Sequence, residues 1–202
     1  MLNRIVIASN NPGKLKELAA LLGPLGIESS AQREFAISEA DEPHFTFIEN
    51  ALAKARHAAN ISGLPALADD SGLCVPALFG EPGVHSAYYA GRDGDRGERD
   101  ARNNAKLVEQ LRAATDRRAF YYCALVLVRH RDDPTPIIAD AAWHGEIVLE
   151  PRGGNGFGYD PYFQVADTQL TAAEMAPAEK NLASHRGRAL AALAAKLRDA
   201  PE

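Results

Sequence analysis

Ser9, Asn10, Asn11, Pro12, Gly13 and Lys14 stand together where an apolar run ends and a helical pattern begins. A helix start offers backbone N–H groups and the positive end of the helix dipole, so with Lys14 beside them this segment suits an anion as large as a triphosphate. It is not a P-loop: Ala8 stands where the first glycine belongs, and Leu15 follows Lys14 in place of serine or threonine. Read alone, a capped strand-to-helix turn with a surface lysine is more often structural. A second group is acidic. Asp69 and Asp70 close a short apolar run and precede Ser71 and Gly72, a pairing that can hold Mg²⁺, which takes one or two carboxylates and completes its shell with water and phosphate. Glu39, Asp41 and Glu42 supply further carboxylates. The alternatives are a polar turn at 69–72 and a solvated acidic loop at 39–42.

The third group is the glycine-dense stretch 151–161 with Phe157, Gly158, Tyr159 and Asp160, followed by Lys180, His185 and Arg186. Glycine lets backbone approach a ligand closely, an aromatic ring can stack on a base, and His and Arg add donors. An arginine on a late helix also reads as plain surface. His44, His57, His85, His130 and His144 show no ligand spacing, and Trp143 reads as packing.

These residues need elements to position them. Arg4 to Ala8 is a β-branched run that predicts a buried strand. Asn11 as N-cap, Pro12 at the first helical position and Leu15, Leu18, Ala19 and Leu22 at helical spacing predict a helix stopped by Gly23. Thr46 and Glu49 form a capping box for a second helix reaching about Ile61. Pro65 to Ala68 predicts a short strand ending at Asp69 and Asp70. A long loop over 81–97 leads to a helix over 98–114, and strands over 119–129 and 137–149 are joined as a hairpin by the turn between them. A last helix spans 184–198. Strands that alternate with helices early and pair as a hairpin later make the chain α/β, with a mixed central sheet and flanking helices.

Composition narrows the function. The chain has 202 residues, 46% hydrophobic and 24% charged, which fits a globular protein with a real core. Its apolar runs are too short to span a bilayer, and its first residues do not make a secretory signal, so the expected location is cytoplasmic, without a membrane partner. Cys74 and Cys123 form neither a disulfide framework nor a zinc site. The net charge of −5 gives no general attraction to nucleic acid, so any phosphate binding must be local.

Taken together, the segments around Ser9–Lys14, the run 45–56, Ala68–Leu73, the run 82–91, the run 156–163 and the run 184–190 resemble the inosine triphosphate pyrophosphatase family, the non-standard purine nucleotide (dITP/XTP) pyrophosphatases. The resemblance covers nearly the whole chain. It implies an elongated two-lobed α/β domain over 1–202 with a central cleft, usually a homodimer. It also implies Mg²⁺-dependent hydrolysis of ITP, dITP and XTP to monophosphate and pyrophosphate, which keeps these nucleotides out of DNA and RNA. By resemblance, Ser9 to Lys14 bind the triphosphate, Glu42 and Asp70 hold the metal, and Asp70 accepts the proton. Ser71, Phe157, Gly158, Tyr159, Asp160, Lys180, His185 and Arg186 bind substrate, and Lys54 is a further phosphate contact. A pyrophosphatase of other nucleotides remains an alternative. A non-catalytic nucleotide sensor is disfavoured by the carboxylates at 42 and 70.

Overall fold

The computed structural model describes residues 3–199. Its strands are β1 (Arg4–Ile7), β2 (Glu28–Ala31), β3 (Ala66–Cys74), β4 (Arg118–Val128), β5 (Ile137–Ile147) and β6 (Phe163–Val165). The helices are α1 (Pro12–Leu22), α2 (Phe47–Ser62), α3 (Arg96–Leu111), α4 (Pro177–Ala183) and α5 (His185–Asp199), and short 3-10 turns lie between them. One sheet runs in the order β2-β1-β3-β4-β5-β6. β1 is parallel to β2 and β3, whereas β5 and β6 are antiparallel, so the sheet is mixed as expected.

Local chemistry sets the helix ends. Asn11 Oδ1 accepts from the Gly13 and Lys14 N–H groups at the start of α1. Thr46 Oγ1 accepts from Glu49 N–H, and Gly63 ends α2 in the left-handed conformation (φ 68°) that glycine adopts at little cost. Asp95 and Glu98 cap each other's backbone at α3, which therefore begins and ends two to three residues earlier than the periodicity predicts.

Contacts divide the chain into two compact units. The first comprises residues 1–70, 123–141 and 185–202. Its core has two layers because side chains alternate across a strand. Ile5 and Ile7 of β1, Leu67 of β3 and Cys123, Leu125 and Leu127 of β4 pack with Leu18 and Leu22 of α1 and Ala189, Leu190 and Leu193 of α5. Val6, Ala8, Ala66, Ala68, Val126 and Val128 pack with Ala51, Ala55, Ala58 and Ala59 of α2. The second unit comprises 71–122 and 142–184. There Trp143 is 1% exposed and packs against Tyr121 and Phe163, with Leu73, Leu107 and Leu111 in the same cluster.

One expectation fails in a way that matters. β3 does not stop at Asp69 and Asp70 but continues through Ser71, Gly72 and Leu73 to Cys74. Both carboxylates are consequently inside a buried strand, on opposite faces.

Candidate active site

The alternation of β3 divides the labour between two adjacent aspartates. Asp69 shares the face of Leu67, beneath α1 and α5, and is 1% exposed. Lys14 of α1 forms an ion pair with its Oδ1, Arg186 Nε of α5 donates to its Oδ2 at 3.0 Å, and the Cys123 thiol donates to the same oxygen at 3.2 Å. Burial alone would raise this carboxyl, yet Lys14 and Arg186 hold it well below the usual carboxylate range. Arg186 is itself buried and donates from Nη1 to Glu17 Oε2 at 2.5 Å. Asp69 is thus a fixed anion that locks α1 and α5 to the sheet.

Asp70 faces the other way, toward α2. Lys54 Nζ donates to Asp70 Oδ1 at 2.9 Å and to Glu42 Oε1 at 2.6 Å, bridging the two carboxylates. Burial raises the Asp70 carboxyl above its ordinary value and outweighs the lysines that oppose it. Burial works against the Lys54 ammonium, but Asp70 and Glu42 together hold it above its ordinary value. The two aspartates are therefore tuned in opposite directions, Asp69 as a permanent charge and Asp70 as a group that can take a proton. Glu42 lies on an exposed loop pinned by Asn50, which is 2% exposed, donates from Nδ2 to His44 O and accepts from His44 N–H. Nothing in the spacing of the sequence singles out Asn50, since it reads as one more polar residue of α2.

The start of α1 is more committed than the sequence suggests. Pro12 lacks an N–H, Asn11 takes those of Gly13 and Lys14, Asn11 O takes that of Leu15, and Ser9 Oγ takes that of Asn11. An anion there must compete with the Asn11 side chain, so the expectation of free helix-start donors is corrected. Lys14 is likewise no surface lysine: its side chain is 16% exposed and turned to Asp69. Asn10 donates from Nδ2 to Glu39 at 3.4 Å. Arg186, which by itself reads as plain surface, is buried with His185 at the start of α5.

In the second unit, Phe157, Gly158, Tyr159, Asp160 and Lys180 are brought together. Asp160 is 3% exposed, and its Oδ2 accepts from Lys180 Nζ and from Phe157 N–H, both at 2.7 Å. Tyr121 donates to Asp160 Oδ1 at 3.3 Å. Gly156 (φ 77°) passes so close to Asp160 and Lys180 that any Cβ would collide with them. Tyr159 is buried, with its hydroxyl donating to Ser86 O at 2.8 Å. Asp160 therefore folds the loop around itself, leaving the half-buried Phe157 ring with the Lys180 ammonium 5.2 Å from its centre. Ser71 lies in β3 next to Asp70.

A divalent cation fits the donors of the first unit. Asp70 Oδ2 is buried and has no hydrogen-bond partner, while Oδ1 accepts from Lys54, which leaves Oδ2 open to a cation. With Glu42 it makes the two-carboxylate set that Mg²⁺ accepts when water and phosphate fill the other positions. A protein cage of three or more ligands is absent among the described residues.

The sequence matches the Ham1 family over residues 5–196. The chain belongs to the Ham1 family. Among its Ham1 relatives, the dITP/XTP pyrophosphatase of Burkholderia pseudomallei is 65% identical over 195 residues, 96% of this chain and 93% of that one. The dITP/XTP pyrophosphatase of Nitrosomonas europaea is 59% identical over 192 residues, 95% and 93% of the two chains. A solved HAM1 protein from Coxiella burnetii superposes with a TM-score of 0.89 at 50% identity, covering 99% of this chain and 100% of that one. The mixed α/β sheet with flanking helices is thus the Ham1 fold.

Proposed function

We propose that this chain hydrolyses dITP, XTP and ITP to the nucleoside monophosphate and pyrophosphate with Mg²⁺ as cofactor, removing non-standard purines before they enter DNA or RNA. The observation that carries this is the Glu42–Lys54–Asp70 cluster in a chain 65% identical to a dITP/XTP pyrophosphatase. Glu42 and Asp70 hold the metal. When bound, Mg²⁺ neutralises phosphate charge and makes water easier to deprotonate. Asp70, raised by burial, takes a proton from the attacking water. The water oxygen forms a bond to the α-phosphorus, the bond from that phosphorus to the bridging oxygen breaks, and its electron pair leaves with pyrophosphate. Ser9 to Lys14, together with Lys54, take the triphosphate charge.

Ser71, Phe157, Gly158, Tyr159, Asp160, Lys180, His185 and Arg186 serve the nucleoside. Within that set Phe157 is the stacking platform, and Asp160 shapes the loop that carries it. Because Arg186 is engaged by Asp69 and Glu17, its part is to fix α5 and its neighbour His185. Both units belong to one pyrophosphatase domain, which works in the cytoplasm as a homodimer on free nucleotides, without a nucleic-acid or membrane partner. A panel of nucleoside triphosphates assayed for pyrophosphate tests the reading. dITP, XTP and ITP should exceed ATP and GTP in kcat/KM by at least about 10²-fold: a donor-lined pocket satisfied by a 6-keto group leaves donors unpaired against the 6-amino group of ATP, and GTP, which shares the 6-keto group, is rejected at its 2-amino group. Activity should vanish in excess EDTA and return with Mg²⁺. Orthophosphate as the first product, or equal efficiency on ATP, would refute it.

A further inference from the structure

Helix α3 touches the Phe157 loop through three residues one turn apart, none of which the sequence marks as functional. Asp100 Oδ2 accepts from Gly158 N–H at 3.2 Å, and Asn104 Nδ2 donates to Gly158 O at 3.0 Å. Both polar groups of the Gly158 residue are therefore gripped from one helix. Arg96, a turn earlier, lays its guanidinium 4.5 Å from the centre of the Phe157 ring and lies 3.7 Å from Asp100 Oδ2. Asn104 is 7% exposed and also donates from the same Nδ2 to Asp100 O at 2.9 Å, so both hydrogens of that nitrogen are used. The spacing 96, 100, 104 puts all three on one face of α3. Further along α3 the same face carries Leu107 and Leu111 into the core.

Gly158 has φ 64°, a conformation open to glycine and uncommon for other residues, and nothing lies within 4 Å of where its Cβ would be. The two hydrogen bonds from α3 orient this residue together with those to Asp160, whose Oδ2 accepts from Phe157 N–H and whose N–H donates to Phe157 O. Phe157 precedes it directly. Rotating the Gly158 peptide would swing the Phe157 ring, which Arg96 holds from one side by a cation–π contact.

We propose that Asp100 and Asn104, with Arg96, are the residues that position the base platform, so that α3 tunes affinity for the purine without touching the phosphates. The inference rests on the reading of Phe157 as the surface on which the base stacks. It makes α3 a positioning element that acts through Phe157 and Gly158 on the nucleoside end of the substrate.

The test compares two ligands by calorimetry on the full chain with Mg²⁺: an α,β-methylene analogue of XTP, which resists hydrolysis, and tripolyphosphate, which has no base. Asp100→Ala and Asn104→Ala should each weaken the analogue about 5- to 10-fold, the size of one lost hydrogen bond, and leave tripolyphosphate within about 2-fold. Arg96→Ala should weaken the analogue about 2- to 5-fold. Asp100→Asn, whose amide oxygen can still accept from Gly158 N–H, should bind nearly as the unaltered chain does. In turnover, KM for XTP should rise with kcat nearly unchanged. If an alanine variant fails to fold, Asn104→Ser, whose hydroxyl is too short to reach Gly158, should show the same split between ligands. Undiminished analogue binding in the folded variants, or equal losses for tripolyphosphate, would overturn the inference. So would an unaltered chain that binds both ligands equally well. An unaltered chain that binds the analogue more tightly than tripolyphosphate but does not hydrolyse XTP would overturn the proposed function and leave α3 in its role.

Discussion

Two neighbouring aspartates with the same side chain are made into different chemical objects by what each one faces. Asp70→Asn removes the proton acceptor and one metal ligand together, so kcat should fall by about 10²- to 10⁴-fold while the melting temperature changes little; steady-state kinetics beside a thermal melt checks this. Asp69→Asn should do the reverse. It strands Lys14 and Arg186 beside a neutral group in a buried place, at a cost of about 3–5 kcal/mol in denaturant unfolding. The pH dependence follows from the direction of the shift. The Asp69 carboxyl is lower in the folded chain than in the unfolded one, where it titrates near 4. Its stabilising contribution is complete above that value and is lost as pH falls through the folded value. The gap in stability between the unaltered chain and Asp69→Asn should therefore hold above about pH 4 and narrow as the pH is lowered further, and a constant gap would contradict the assignment. The resemblance assigns the metal and the proton to Asp70 and neither to Asp69, but the sequence does not show the opposite tuning of the two carboxyls. That tuning depends on Lys14, Lys54 and Arg186, which lie 55, 16 and 117 positions from their partners, beyond the reach of any local pattern.

At the scale of elements, what was legible followed from local chemistry. Asn11, Pro12 and Gly23 bound α1, and Thr46 with Glu49 starts α2, because a cap is made by residues within one turn of it. The length of β3 was not legible. Asp69, Asp70, Ser71 and Gly72 read as a turn by composition, and only cations from distant helices make carboxylates acceptable inside a strand. The α3 start was missed by two residues for the opposite reason: Asp95 and Glu98 form a capping box that a surrounding run of charged residues hides. The β4–β5 connection shows a similar device. Asp133 is 1% exposed, and it accepts from Arg129 N–H, Thr135 N–H and the Arg129 guanidinium, each at 2.9 Å. Burial opposes ionisation, but these donors hold its carboxyl below the ordinary value. Asp133→Ala should cost about 1–2 kcal/mol in chemical denaturation without altering kcat/KM, because it removes the acceptor of the Arg129 and Thr135 N–H groups, far in sequence from the carboxylates at 42 and 70. A loss of activity at unchanged stability would assign this turn a different role.

Across the whole molecule, sequence order and compact units do not coincide. The first unit is assembled from three stretches of chain and the second from two, so neither can be cut out as a continuous piece. Residues 1–70 carry β1, α1, β2, α2 and most of the carboxylate cluster, yet the layer over α1 also needs Leu125 and Leu127 of β4 and Leu190 and Leu193 of α5. A fragment of residues 1–70 should therefore show no cooperative thermal transition and no hydrolysis, and a sharp melt by circular dichroism would contradict this division of the core. The family fold was nonetheless recognisable from the sequence, because its six motif segments keep their order even where the units interleave.

The pairing of Arg186 with Asp69 has a consequence for how the protein is made. These residues are 117 positions apart, and Arg186 opens α5, the last of the described elements to leave the ribosome. While α5 is still in the exit tunnel, Asp69 lacks the Arg186 guanidinium, and the apolar sides of α1 and β4 lack their cover. The first unit must wait in an open form through most of translation, whereas residues 71–122 and 142–184 have all emerged by the time α5 begins to appear. Nascent chains arrested with 71–184 emerged and α5 still inside the exit tunnel should be digested by protease over 1–70 and protected over the second unit, with protection of the first appearing only once α5 has emerged.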